Sequence, residues 1–209
     1  MTTDVRGAEG EPWGIYVHIP YCVKKCAYCD FVSVPSAPRA AEMEDYAAAL
    51  TAELLREVPP LRARRGAAAT IYVGGGTPTA LPAPLLMGVL ETLRTAAGTP
   101  VEWTVEANPG TVDTAYLGAL RAAGANRLSL GVQSFDDTLL YGIGRIHTAA
   151  EAAQAFHAAR AAGFENISID LMYGLPGQTL DHLRRSVAAA VALAPEHLSV
   201  YGLTIEEGT

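Results

Sequence analysis

The sequence predicts one α/β domain: a partial barrel of six parallel strands with helices between them. Two observations lead to this fold class. Short β-rich runs alternate with alanine-rich helical stretches along the whole chain. Half of the 209 residues are apolar, which is enough for one domain with a sizeable core. We therefore expect a (β/α)6 arrangement that ends after its sixth strand.

The predicted elements follow one another in a strict βα order. Strands are expected at about 15–19, 70–74, 101–107, 127–132, 166–172 and 197–204, and helices near 40–57, 82–96, 113–123, 148–162 and 179–193. Asp113 and Asp181 occupy N-cap or first-turn positions, while Gly124 and Gly163 fall just past helix ends. The stretch 62–69 is predicted to be a connector. Residues 1–12 are predicted to be a disordered tail and 13–209 the single domain.

The predicted strands alternate between apolar and polar residues. Parallel strands with helices on both faces are usually apolar throughout, so this alternation needs another explanation. In the third strand an apolar set opposes a polar set: Val101, Trp103 and Val105 against Glu102, Thr104 and Glu106. If the apolar face packs under the helices, the polar face lines the inside of an incompletely closed barrel. The alternative is a one-sided sheet whose polar face meets water.

The three cysteines of the chain share one short loop, as Cys22, Cys26 and Cys29. Three thiolates at this spacing can hold three corners of an iron–sulfur cubane and leave one iron open. Clusters that only carry electrons usually have four thiolates, so an open iron suggests an exchangeable ligand. A structural zinc site would need a fourth ligand, for which His18 is the candidate. A disulfide scaffold would leave one thiol over.

Charge and hydropathy exclude several classes of function. The chain has 15 basic and 22 acidic residues, a net charge of −7, which argues against a general binder of nucleic acid or membrane surfaces. No stretch approaches the roughly 18 apolar residues of a membrane span. A reducing cytoplasmic location is expected, because the thiols must stay available for iron.

Short motifs surround the cysteine loop and recur at the predicted strand ends. They are YVHIPYC at 16–22, GGGTP at 74–78, VEANP at 105–109, GVQSF at 131–135, GRIH at 144–147 and DLMYGLPGQ at 170–178. Together with the cysteines, they resemble the radical S-adenosylmethionine (radical SAM) superfamily, and more narrowly the oxygen-independent coproporphyrinogen III oxidase family. The resemblance runs from about Trp13 to the last residue.

The resemblance implies a [4Fe-4S] cluster on the three cysteines and S-adenosylmethionine on the open iron, where an electron can cleave it to a 5′-deoxyadenosyl radical. By the same resemblance the cofactor contacts would be Tyr16, Tyr28, Gly75, Gly76, Thr77, Glu106, Gln133, Arg145 and Asp170. Each of these residues also has a structural alternative. Gly75 and Gly76 would simply make a turn that Thr77 caps, Glu106 and Asp170 would be strand-end acids, and Gln133 would tie a loop. Arg145 would be a solvated guanidinium, and Tyr16 and Tyr28 would be core aromatics.

Phe31 separates two branches of the family. The oxidases have a fourth cysteine two residues after the third ligand, and this chain reads Cys29-Asp30-Phe31 there. That ending resembles the HemW-like heme chaperone branch, which implies heme as cargo and a heme-acceptor protein, including a membrane-associated one. The oxidase reading also stays open, and either would use an electron donor such as flavodoxin or ferredoxin.

No heme ligand is assigned from the sequence. His18 and His147 are more typical of hydrogen-bonded structural histidines than of axial ligands. The family carries a further C-terminal segment, so the chain is expected to be truncated after its sixth strand.

Overall fold

Six parallel strands form the main sheet of the computed structural model, which describes residues 11–37, 39–207 and 209. The sheet strands are β1 (Gly14–Ile19), β4 (Thr70–Gly75), β5 (Glu102–Ala107), β6 (Arg127–Gln133), β7 (Asn166–Tyr173) and β8 (His197–Gly202), with β2 (Tyr21–Cys22) and β3 (Val34–Pro35) forming a separate short pair. The six pair in chain order, so β1 and β8 are the edges. The α/β class and the six predicted strands are confirmed. Of the predicted tail, residues 1–10 lie outside the described residues.

Helices connect successive strands of the main sheet. They are α1 (Ala40–Arg65), α2 (Ala83–Ala97), α3 (Thr114–Ala123), α4 (Asp137–Gly142), α5 (Ala149–Ala161) and α6 (Leu180–Ala192). Right-handed crossovers between strands added in order place such helices on one face of the sheet. Asp113 caps α3 by accepting a hydrogen bond from the Tyr116 N–H, and Gly124 ends that helix in the left-handed region, as predicted.

The two faces of the sheet differ as the alternation predicts. Val105, Leu128 and Ile169 are completely buried in the core beneath the helices. On the opposite face, Thr104 and Ser168 are also completely buried, and small polar side chains of this kind fill the lower part of the barrel. The upper part stays open. The polar face therefore lines an interior, as expected of a partial barrel.

Three local predictions are wrong: the place of Val101 on the apolar face, the end of the first helix at about residue 57, and a connector that begins at residue 62. Val101 is 87% exposed because β5 begins only at Glu102, so Val101 does not belong to the apolar face. The first helix continues past residue 57 to Arg65, through Pro59 and Pro60, so 62–65 is not a connector. The continuation has tertiary support: Leu54 and Val58 of α1 are buried in the core, and the Arg62 guanidinium donates to the Thr95 carbonyl oxygen at the end of α2, 3.0 Å away.

The sequence did not predict α4, the β2/β3 pair, whose strands have two residues each, or two short 3₁₀ helices at Pro78–Ala80 and Pro109–Thr111. No helix of the described part is both long enough and apolar enough to cross a membrane.

Candidate functional site

A cavity of about 710 Å³ opens at the carboxyl ends of the strands. Its wall combines the cysteine loop with the ends of β4 to β8. Open parallel sheets bind ligands at the carboxyl ends of their strands, because the loops that follow the strands meet there. Eleven of the twelve residues predicted as cofactor or metal contacts line this cavity: Cys22, Cys26, Tyr28, Cys29, Gly75, Gly76, Thr77, Glu106, Gln133, Arg145 and Asp170.

The cysteine loop is fixed to the barrel at both ends. Before the loop, the Tyr21 carbonyl oxygen of β2 accepts a hydrogen bond of 2.7 Å from the Thr77 N–H, just past the end of β4. Further along, the Ala27 N–H donates to the Ile143 carbonyl oxygen at 3.1 Å. The loop is therefore held against the end of α4, next to Arg145.

The three thiols occupy different environments around the cavity. Cys22 is buried, and its Sγ lies 3.6 Å from the Thr77 hydroxyl; burial raises the pKa of this thiol. Cys26 Sγ accepts from the Arg145 guanidinium at 3.5 Å. Cys29 is partly exposed. A cubane binds each thiolate through a different iron, so its ligands must face one cavity rather than converge on one point.

His18 does not join these thiols. Its Nδ1 lies 3.0 Å from the Tyr16 hydroxyl and its Nε2 lies 2.8 Å from the Val32 carbonyl oxygen. Within the described ranges, no three Cys, His, Asp or Glu side chains are grouped closely enough to hold a single metal ion. The fourth ligand that the zinc alternative requires is thus engaged elsewhere.

Glycines let the end of β4 approach the cysteine loop. A Cβ atom on Gly75, whose φ is 123°, would lie 2.8 Å from the Ile19 carbonyl oxygen. A Cβ on Gly76 would lie 2.8 Å from the Tyr21 carbonyl oxygen and 3.0 Å from Cys22 Sγ. No larger residue fits without moving backbone. Gly75 and Gly76 therefore line the cavity with main chain alone, and their N–H groups donate to Glu106 and to the Ile19 carbonyl oxygen.

Replacing Gly75 by alanine is expected to lower the free energy of unfolding by about 2 kcal/mol or more, because the backbone is left-handed and the new methyl group meets β1. Gly88 is a matched control: it is exposed on α2, and a Cβ there meets nothing within 4 Å. Gly88→Ala should raise stability by about 0.5–1 kcal/mol. Urea unfolding of both variants measures the difference, and equal stability would contradict this account.

Two carboxylates of the polar face line the cavity: Glu106 on β5 and Asp170 on β7. Glu106 accepts from the Tyr72 hydroxyl at 2.6 Å and from the Gly75 N–H at 3.2 Å. Asp170 accepts from the Ser129 hydroxyl at 3.1 Å. Burial raises the pKa of both carboxyl groups, and these hydrogen bonds oppose the rise. The carboxylates are held in place by neutral donors and keep further lone pairs for a ligand.

Gln133 and Arg145 carry polar atoms without partners. Gln133 is 8% exposed, and its Oε1 is buried with no hydrogen-bond partner; Arg145 Nε is in the same situation. The remaining guanidinium nitrogens of Arg145 donate to Cys26 Sγ and the Gly131 carbonyl oxygen. Buried polar atoms are almost always paired in proteins. Their lack of partners in a cavity wall points to a polar ligand.

Tyr16 is the predicted contact that the structure does not place in the cavity wall. It is 60% exposed and stacks on Tyr72, with ring centroids 6.1 Å apart. Tyr28, between two cysteines, does line the cavity, and burial raises the pKa of its hydroxyl.

Several lining residues were missed: Tyr72, Asn108, Arg127, Ser129, Gly131, Met172, Ser199 and Tyr201. The alternation of polar and apolar residues could have indicated Tyr72, which shares the polar face of its strand with Thr70. Gly131 could also have been found, because a glycine inside a strand often marks the close approach of another group. A Cβ on Gly131 would lie 3.2 Å from Gln133 Nε2 and 3.4 Å from Arg145 Nη2.

These features fit a cluster with a small polar ligand beside it. Three cysteines line one cavity, glycine backbone lies next to Cys22, and Gln133 and Arg145, each with a buried polar atom that lacks a partner, complete the wall. The cysteines would hold the cluster, while the glycines, Glu106, Gln133 and Arg145 would hold the ligand.

Comparison with known proteins gives a consistent set of matches. The family model described as the Radical SAM superfamily matches residues 16–190. The heme chaperone HemW of Bacillus subtilis (strain 168) is 42% identical over 204 residues, which is 93% of this chain and 51% of that protein. HemW of Escherichia coli (strain K12) is 40% identical over 200 residues, covering 95% of this chain and 52% of that protein.

A solved structure is similar as well. The coproporphyrinogen III oxidase HemN from Escherichia coli, a radical SAM enzyme, matches with a TM-score of 0.85 and 31% identity over 93% of this chain and 45% of that one. The chain spans about half the length of the curated relatives it matches.

Proposed function

Since this chain belongs to the Radical SAM superfamily, we propose that it is the core domain, residues 13–209, of a heme chaperone that binds a [4Fe-4S] cluster and S-adenosylmethionine. The observation that carries the proposal is the shared cavity: the three cysteines, Gln133 and Arg145 line one space, and the last two each have a buried polar atom without a partner. HemW chaperones are its relatives at about 40% identity. Heme would be the cargo, delivered to an acceptor protein.

The chain's own residues would bind and orient the cofactors. Cys22, Cys26 and Cys29 would hold the cluster, and the Gly75–Gly76 backbone would meet the amino-acid end of S-adenosylmethionine. Glu106 would accept from the ribose hydroxyls, with its carboxylate oriented by Tyr72 and Gly75. Gln133, Arg145 and Asp170 would supply further polar contacts. When bound, the cluster and S-adenosylmethionine supply one-electron radical chemistry.

Phe31 favours the chaperone over the oxidase. It lines the cavity and is 70% exposed, so an apolar ring stands where the oxidases of the family have a cysteine. A phenyl ring can neither ligate iron nor exchange a hydrogen atom as a thiol does. It offers instead an apolar surface at the cavity mouth, which suits a planar porphyrin.

The second candidate is an oxygen-independent coproporphyrinogen III oxidase, a decarboxylase. The similarity to HemN at a TM-score of 0.85 favours it. In either case we propose a cytoplasmic location and reduction by a flavodoxin or ferredoxin. A membrane-associated heme acceptor is part of the chaperone proposal only.

EPR spectroscopy of the anaerobically reconstituted, reduced chain tests cofactor binding. Adding S-adenosylmethionine is expected to shift the cluster spectrum, because the cofactor would ligate the open iron. An unchanged spectrum would contradict the proposed site. Heme titration and an anaerobic assay for protoporphyrinogen then separate the candidates: stoichiometric heme uptake without product supports the chaperone, and clear turnover supports the oxidase.

A further inference from the structure

The end of β6 has an irregular backbone beside the cavity. Its pairing with β7 shifts there, so that Gly131 faces Asp170 and Gln133 faces the next residue, Leu171. One residue, Val132, is therefore extra, which makes this a β-bulge. Bulges next to binding sites often redirect a side chain, and here Gln133 follows the extra residue.

Gln133 is held in a strained conformation. Its φ is 68°, one of two positive values among the described non-glycine residues. The Val132 carbonyl oxygen accepts from the Ser134 N–H at 2.9 Å, two residues along. This hydrogen bond and the positive φ match the rarer, strained form of the γ-turn, with Gln133 at its centre. Strain of this kind persists only where surrounding contacts impose it.

Two side chains from one loop hold consecutive carbonyl groups of this turn. The Arg145 guanidinium donates to the Gly131 carbonyl oxygen. His147 is 3% exposed, and its Nε2 lies 3.2 Å from the Val132 carbonyl oxygen. Its other nitrogen, Nδ1, lies 3.0 Å from Asn108 Oδ1 at the end of β5. A neutral imidazole has a single N–H, which at Nε2 donates to the Val132 carbonyl oxygen. His147 thus lies between the Gln133 turn and the strand that carries Glu106.

We propose that His147 is a positioning residue for S-adenosylmethionine: it holds the Val132 carbonyl group and so aims the Gln133 amide into the cavity. This inference rests on the proposed function, because Gln133 is there a cofactor contact. Arg145 cannot replace His147, because it holds the neighbouring carbonyl group and faces Cys26 as well. Gln133 lines the cavity, and its Oε1 is buried without a hydrogen-bond partner.

Two substitutions separate the two contacts of His147. The side-chain amide of glutamine reaches about as far as the imidazole Nε2, and that of asparagine about as far as Nδ1. His147→Gln thus keeps a donor for Val132 and gives up Asn108, whereas His147→Asn does the reverse. We expect His147→Asn to weaken S-adenosylmethionine binding about tenfold, and His147→Gln to stay within about twofold of wild type.

A double-mutant cycle tests whether the effect passes through Gln133. The binding constant is measured by calorimetry on four cluster-loaded proteins: wild type, His147→Asn, Gln133→Ala and the double variant. Alanine keeps a side chain at the same positive φ, so the backbone requirement is matched. If His147 acts through Gln133, the loss from His147→Asn disappears in the Gln133→Ala background. A general structural defect would persist there.

Hydrogen exchange gives a readout that does not depend on S-adenosylmethionine. The Ser134 N–H closes the turn, so His147→Asn should speed its exchange several-fold while His147→Gln leaves it slow. Equal exchange and equal affinity in wild type and His147→Asn would overturn the inference alone. Failure of the cluster-loaded wild type to bind S-adenosylmethionine would overturn the proposed function, and this inference with it.

Discussion

Replacing Cys26 by alanine is expected to abolish assembly of the cubane. The chain has three cysteines, so no other thiol can take the lost position. Two remaining ligands would leave two irons without protein thiolate, where one is open in the wild type. After anaerobic reconstitution, the wild type should hold about four irons and four sulfides per chain, and the variant well under one of each. Iron and sulfide analysis with the visible absorption spectrum measures this.

Lys25→Ala is the matched control for the loop. Lys25 is an exposed neighbour of Cys26, so its removal should leave the cluster content unchanged. The same experiment tests the zinc alternative. If the wild type contained one tetrahedral zinc and no sulfide, the cluster assignment and the cofactor site built on it would both be lost.

The sequence predicted the side of the sheet on which the site lies. A period of two residues fixes the face of a strand, which is why Glu106 and Asp170 were correctly expected to face the interior. The period does not fix the position of a strand within the sheet. Tyr16 follows the same alternation and pairs in register with Tyr72, which lines the cavity. However, β1 is an edge strand, so the Tyr16 ring stacks on the outer side of Tyr72 instead of lining the cavity.

Features that depend on tertiary contacts could not be predicted. The Gln133 turn needs a bulge whose carbonyl groups are held by Arg145 and His147, and no local pattern in the sequence reports such contacts. His147 was correctly expected to be hydrogen-bonded, but its partners come from two other strands. The continuation of α1 past two prolines has the same kind of origin, because the helix packs on the core through Leu54 and Val58, and local helix propensity does not report this packing.

Replacing Glu106 by glutamine is expected to weaken S-adenosylmethionine binding by about 10- to 100-fold. A hydrogen bond to a charged group contributes about 1.5–3 kcal/mol, and each 1.4 kcal/mol is a factor of ten. The variant should fold nearly as well as wild type: burial raises the pKa of Glu106, which means that the folded site disfavours its charge. The amide oxygen can still accept from Tyr72, and the Gly75 N–H then loses its acceptor, which costs about 1 kcal/mol. The loss should therefore appear mainly in the binding constant, with only a small fall in the melting temperature.

Glu102→Gln provides the matched control, because it removes an equal charge from the same face of the same strand. Glu102 lies at the opposite end of β5, where its carboxylate accepts from the Thr104 hydroxyl at 3.2 Å, and it is not among the residues that line the cavity. Its substitution should leave the affinity within about twofold of wild type, since the half-buried Glu102 lies at the far end of the strand and does not line the cavity. Equal losses in both variants would mean that the net charge of the barrel attracts the cationic cofactor. A loss confined to Glu106→Gln would place the effect in the direct contact that Tyr72 and Gly75 orient.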